Sequence, residues 1–293
     1  MSRNLRLAVT ADLHWGHARG QEPNRRLVEH LHAHPADGLV IAGDVGTGDS
    51  WGECLRQFSD LPGFKAVLPG NHDIWIPRDE TRIDSLVMYE TILPEIAREA
   101  GFHYLDDGPL IFEEAALALV GSINWYDYSW SIDELRQRFP GDLERLASKR
   151  FTRGRHNDAN FVRWALDDGG FTTLVVEKMA RHLDEAMSRV PKVLAFTHHP
   201  AFRGISFPRP PEMVTLDLDQ LLWDAFCGNL RMEELLARHA DRIALTFSGH
   251  THRANTGNLG SLRGINVGSD YPFERLPYLD WPACTVEEVQ FDP

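Results

Sequence analysis

Hydrophobic residues in this chain gather in short dense runs, and five of these runs share one design. They are LRLAVTAD (residues 5–12), GLVIAGD (38–44), FKAVLPGNHD (64–73), KVLAFTHHP (192–200) and RIALTFSGHTH (242–252). Each is rich in Val, Ile, Leu, Phe and Ala and alternates too little for a half-wet strand. Each therefore predicts a short strand buried on both faces. Each also stops on carboxylate, amide or imidazole side chains. In an α/β protein the carboxyl ends of the strands gather functional loops along one edge of the sheet. Five separate segments are thus expected to converge on one site.

Between these runs the spacing changes to three and four. RRLVEHLHAH (25–34), IDSLVMYETILPEIAREA (83–100) and MEELLARHA (232–240) predict helices. His30, His32 and His34 fall on a solvated helix end. ALALVGSINWYDYSW (116–130) predicts a further strand followed by an aromatic loop, and SLRGINVGS and ACTVEEVQF predict late strands. Residues 127–190 look helical and lack any strand that ends in ligand-type side chains. They predict a helical insertion, a cap beside the site, within a single domain spanning 1–293. No internal repeat or low-complexity tract interrupts the chain.

Composition narrows the function. The 293 residues are 43% hydrophobic and 25% charged, as in a globular protein with a sizeable core. The net charge of -13, from 43 acids against 30 bases, opposes an extended nucleic-acid partner, which needs a basic face. Cys54, Cys227 and Cys284 lie far apart, with no CxxC pair, which argues against a disulfide framework or a cysteine zinc site. No secretory leader and no membrane-length apolar stretch is visible, so the expected location is cytoplasmic, with no membrane partner.

The chemistry lies at the strand ends. Asp12-x-His14 aims a carboxylate and an imidazole at one point, which alone is a weak metal half-site. The ordered set Asp12-x-His14, Gly43-Asp44, Gly70-Asn71-His72-Asp73, His198-His199-Pro200 and Gly249-His250-Thr251-His252 is far more specific. It resembles the calcineurin-like metallophosphoesterases, and the match runs over most of the chain. The resemblance implies a four-layer αββα sandwich with a binuclear metal centre at the sheet edge. It implies that Asp12, His14, Asp44 and His252 hold one ion, and that Asp44, Asn71, His198 and His250 hold the other. Asp44 then bridges the pair. Mixed nitrogen and oxygen donors suit two transition ions, Mn, Fe, Zn or Co, better than Ca or Mg. The implied reaction is hydrolysis of a small anionic phosphate ester, a diester or a monoester, by a metal-bridging hydroxide. His72 would bind phosphate and protonate the leaving oxygen, with Asp73 orienting its ring.

Weaker candidates surround this set. His17 approaches from the loop after the first strand. Asn124, with Trp125 and Tyr126, follows a strand and would line the pocket. His199 would contact substrate or simply pack, and Arg203 and Arg209 sit on a Pro-rich loop that is either a lid with phosphate-binding arginines or a solvated loop. Lys149, Arg150, Arg153 and Arg155 form a basic stretch within the insertion. The protein Ser/Thr phosphatases of the family carry an Asp-Arg-Gly segment after Gly-Asp, and Glu after Asn-His. This chain instead reads GDVGTGDS and GNHD, which is more similar to bacterial small-molecule phosphodiesterases. Two rival readings share the motifs. One is a DNA-repair-type nuclease, which the charge balance opposes. The other is a non-enzymatic metal-binding scaffold, which the complete ligand set opposes.

Overall fold

The computed structural model describes residues 3–77, 79–80, 83–210, 212–213 and 215–293. The five runs are strands, and they divide between two six-stranded mixed sheets. The first sheet is ordered β12-β11-β1-β2-β3-β4. Its strands are β1 (Leu5–Thr10), β2 (Gly38–Ala42), β3 (Phe64–Leu68), β4 (His103–Tyr104), β11 (Glu274–Trp281) and β12 (Thr285–Phe291). The second is ordered β5-β6-β7-β8-β10-β9. It is built from β5 (Leu110–Phe112), β6 (Leu117–Ser122), β7 (Lys192–Thr197), β8 (Ile243–Ser248), β9 (Asn255–Leu259) and β10 (Leu262–Asn266). Strands β1 to β4 run parallel, as do β6, β7, β8 and β10. The carboxyl ends of β1, β2, β3, β7 and β8 can therefore supply one edge.

Period-2 alternation inside the buried strands sorts side chains between cores. Leu7 and Val9 of β1 meet Leu119, Leu194, Phe196 and Phe247 between the sheets. Ala8, Leu39, Ile41 and Val67 face outward under α1 (Gln21–Ala33) and α2 (Asp49–Arg56). Ala118, Val120, Val193 and Ala195 face the other way, under α8 (Asp168–Arg189) and α10 (Leu230–Arg238). Three apolar layers between four structural ones make the expected αββα sandwich. The helix expected over 83–100 forms as α3 (Ser85–Val87), a π-helical turn (Met88–Ile92) and α4 (Leu93–Glu99).

The helical span at 127–190 forms one long helix and a set of short ones before it. Helix α8 carries Phe171, Val175, Met179, Leu183 and Ala186 at three-to-four spacing; Met179, Leu183 and Ala186 pack under the second sheet, whereas Phe171 and Val175 join the cluster that also holds Leu135 and Leu146 of the preceding helices. Only the preceding segment lies by the strand ends. It contains α5 (Ile132–Arg138), α6 (Glu144–Ser148) and the short α7 (Asp158–Phe161). The remaining helix, α9 (Leu218–Ala225), starts at a capping box between Asp217 and Gln220 and packs beside α5 and α6.

Candidate metal centre

The loops that follow the strands are laced to one another by backbone hydrogen bonds. Asp12 N donates to Gly43 O, His14 N to Asp44 O, His198 N to Ser122 O, and Gly249 N to His198 O. These bonds fix the turns after β1, β2, β7 and β8, at a cost in backbone strain. Asp12, His14, Asp44, His250 and His252 all have φ between 41° and 73°. Such left-handed conformations are costly outside glycine and collect at functional sites. Two glycines make the crowding possible. A Cβ at Gly43, where φ is 89°, would overlap the His198 imidazole, and one at Gly70 would overlap the Asp44 carboxylate.

Two donor clusters result. In the first, one donor atom from each of Asp12, His14, Asp44 and His252 lies within 4.8 Å of every other. His14 Nε2 is 3.1 Å from His252 Nε2 and 3.6 Å from Asp44 Oδ2. In the second, the Asn71 side-chain oxygen is 3.1 Å from His198 Nε2 and 3.2 Å from His250 Nδ1, and His198 Nε2 is 3.3 Å from Asp44 Oδ1. Asp44 thus turns one oxygen to each cluster.

The donors fit cations. Asp12 Oδ1 accepts the His250 amide at 2.8 Å, while Asp12 Oδ2 is buried without a hydrogen-bond partner. An orphaned anionic oxygen beside converging imidazole nitrogens is a poor arrangement unless a cation completes it. Neighbours orient the rings to leave the inner nitrogens bare. His252 Nδ1 lies 3.2 Å from Asp270 Oδ1, and His198 Nδ1 lies 3.1 Å from the Ala42 carbonyl. Burial drives His14 and His250 well below the ordinary imidazole value, so both are neutral at pH 7. Burial also pushes Asp12 up to about 6. Burial works against Asp44 ionising, yet His198, His72 and His14 hold its carboxyl well below the usual range.

His72 lies at the rim of these clusters. Its Nε2 is 3.9 Å from Asp44 Oδ2, its ring stacks on Trp75 at 3.6 Å, and its backbone N–H donates to Asp44 Oδ1. A cavity of about 750 Å³ opens over Asp44, Asn71, His72, His250 and His252. Its far wall includes Phe151, Phe207 and Trp223, and Arg153, Arg155 and Arg209 also line it.

The structure places several of the expected residues as follows. Asp73 does not reach the His72 ring. It is fully buried and its two oxygens accept the Gly46 and Gly70 amides, so it braces the turns. Asn124 is also fully buried. Its amide N–H₂ serves the His199 and Pro200 carbonyls and its oxygen accepts from Asn229, leaving nothing for a substrate. His199 packs behind the centre, 4.0 Å from the His250 ring, with its Nε2 buried and unpartnered. The Arg203 guanidinium is tied to the Trp130 carbonyl and does not line the cavity. His17 is exposed, its ring tilted against Tyr271 at 4.2 Å, and Tyr271 in turn stacks on His14. Of the basic stretch, Arg153 and Arg155 line the cavity, whereas Lys149 pairs with Asp168. Asp158, Trp75, Asp270 and Tyr271 join the site without having been expected. Asp270 alone had a sequence signal, as the acid that follows the late strand in INVGSDY.

A fold of this kind, with two clusters of these donors sharing one carboxylate at the strand ends, defines a class. The model of the calcineurin-like phosphoesterase family matches residues 5–254, and the chain belongs to that family. It is accordingly a metallophosphoesterase, a hydrolase whose family carries a dimetal centre and acts on phosphate esters. Among solved structures it is similar to phosphopantetheinyl hydrolase from Mycobacterium tuberculosis, with 22% identity, a TM-score of 0.69, and 90% of this chain and 89% of that one covered. It is also similar to a dimetal phosphatase from Danio rerio, at 15% identity, a TM-score of 0.54 and 98% coverage of both chains. The protein TT1561 of Thermus thermophilus has 12% identity and a TM-score of 0.56, over 98% of this chain and 99% of that one. At these identities the likeness is one of fold. No curated protein matches the chain.

Proposed function

We propose that the protein hydrolyses small phosphate esters, diesters or monoesters, at two transition ions. Asp12, His14, Asp44 and His252 would hold one ion, and Asp44, Asn71, His198 and His250 the other. The observation that carries this reading is the Asp44 carboxylate, with Oδ2 toward His14 and Oδ1 toward His198. Two divalent ions bound there would activate water near neutral pH and offset the charge of the phosphoryl oxygens. Mn, Fe, Zn and Co all suit the donors.

His72 is the residue of this chain suited to the leaving oxygen. It borders the cavity, ligates in neither set, and is fixed by Trp75 beneath it. Burial lowers its proton affinity below the ordinary value. An anionic ester placed beside it favours return of the proton, which can then pass to the departing alkoxide. A cavity of about 750 Å³ matches a small ester and not a polymer. Arg153 and Arg155 add positive charge to its lining, while the net charge of -13 repels a long polyanion. The three free cysteines support work in the reducing cytoplasm. Among the described residues, no helix is long and apolar enough to cross a membrane.

The test compares kcat/KM for a small diester and for an oligonucleotide at equal phosphate concentration across a salt series, with Mn²⁺ added. Preference for the small ester with a shallow salt dependence is expected. Preference for the oligonucleotide with a steep negative salt slope would instead mark a nuclease.

A further inference from the structure

One carboxylate from the cap segment reaches a residue of the metal centre and touches three side chains beside it. Asp158, the first residue of α7, is 1% exposed. Its Oδ1 accepts from the Asn71 side-chain amide at 2.8 Å and from the Trp75 indole N–H at 2.9 Å. Its Oδ2 accepts the Tyr126 hydroxyl at 2.8 Å and lies 3.3 Å from His156 Nδ1. The segment is anchored nearby as well, because Ile76 N donates to Phe161 O and Trp75 stacks on Phe161 at 5.0 Å.

The contact with Asn71 decides a chemical question. A side-chain amide has one face that can ligate a cation and one that cannot, and the two differ by a half-turn about one bond. An ionised carboxylate only accepts hydrogen bonds. Placed against Asn71 it selects the N–H₂ group, so the oxygen must point the other way, between His198 and His250. The same oxygen fixes Trp75, the platform under His72. We propose that Asp158 is a positioning residue that sets the amide of Asn71 oxygen-inward for one of the two ions and so ties the cap segment to metal loading. This rests on the metal reading given above.

The test is a Mn²⁺ titration of the metal-free full chain in the His252→Ala background, where only the Asn71 donor set is complete. Asp158→Ala frees the amide to rotate, and the remaining affinity should fall by about 10- to 100-fold, as for loss of a group that orients a ligand. Asp158→Asn should hold affinity within about threefold. Its oxygen can still face Asn71 and Trp75, and its N–H₂ can face Tyr126 and His156, both able to accept. Asn71→Asp gives a second control, because a carboxylate has no wrong way round. Combined with Asp158→Ala it should bind as tightly as the His252→Ala parent. Equal weakening by Asp158→Asn and Asp158→Ala, no weakening by Asp158→Ala, or failure of Asn71→Asp to restore binding would each overturn the proposal. A wild-type chain that binds fewer than two ions would defeat the metal reading itself. Two ions in the wild type with an indifferent Asp158→Ala would defeat this inference alone.

Discussion

With His198 as a ligand, as proposed, metal loading would expel a proton from its ring, and the site sets the size of the effect. The ring is fully buried, which by itself favours the neutral form. Asp44, and then Asp12, outweigh burial and push His198 up to about 9. A ligating imidazole must give up the proton at its donor nitrogen. At pH 7 that displacement costs a few kcal/mol, about a tenfold loss of affinity for each pH unit below 9. Affinity for the ion at His198 should therefore rise about tenfold per pH unit from about pH 6.5 and level off above about pH 9. His14 and His250 are already neutral and release nothing. Asp12, pushed to about 6, adds a second proton only in more acid solution. At pH 7 binding should release about one proton per chain from His198, besides any lost by water at the ions. Calorimetry in buffers of different ionisation enthalpy at one pH reads that number directly. No proton released at pH 7, or an affinity still climbing tenfold per unit well above pH 9, would refute the pairing of His198 with Asp44.

Other consequences follow from the same geometry. His72→Ala should lower turnover by about 10²–10⁴-fold with metal content intact, and by less for nitrophenyl esters, whose leaving group needs no acid; equal losses for good and poor leaving groups would remove the acid role. Gly70→Ala drives a Cβ into Asp44, so it should weaken both ions together and cost about 1–3 kcal/mol of stability, read by elemental analysis and thermal melting. Burial pushes the Glu274 carboxyl well above its ordinary range. The folded metal-free chain then keeps a proton that the unfolded chain loses above about pH 4.5, so stability drains as pH rises. Glu274→Gln should raise the Tm more at pH 8 than at pH 5, by about 2–4 °C for each kcal/mol regained.

The sequence carried the sandwich and its donors well, because both were written in local pattern. Each buried strand announces itself by composition, and each donor of the two clusters stands at a strand end, where a parallel sheet must deliver it. Helix α8 shows what pattern alone omits. Its stripe of Phe171, Val175, Met179, Leu183 and Ala186 declares a helix, but nothing in it says whether the partner is a sheet or a cap. Asn124 stands after β6 as the ligands stand after their strands, yet its amide is consumed by His199, Pro200 and Asn229, neighbours that only folding supplies. Asp73 misled for a related reason. Adjacency to His72 in sequence suggested a pair, whereas the turn sends the carboxylate back to Gly46 and Gly70. Asp158 lies 87 residues from Asn71, in a segment without a strand, and only tertiary structure joins them.

The central claim is a pair of ions sharing Asp44, and the most direct measurement is metal per chain against activity. Metal-free protein titrated with Mn²⁺, then freed of excess ion and analysed by elemental mass spectrometry, should saturate at two ions per chain. Hydrolysis of a small phosphodiester should appear as the second ion fills. Asp44→Asn should weaken both ions at once. Saturation at one ion per chain, or full activity with one, would contradict the account.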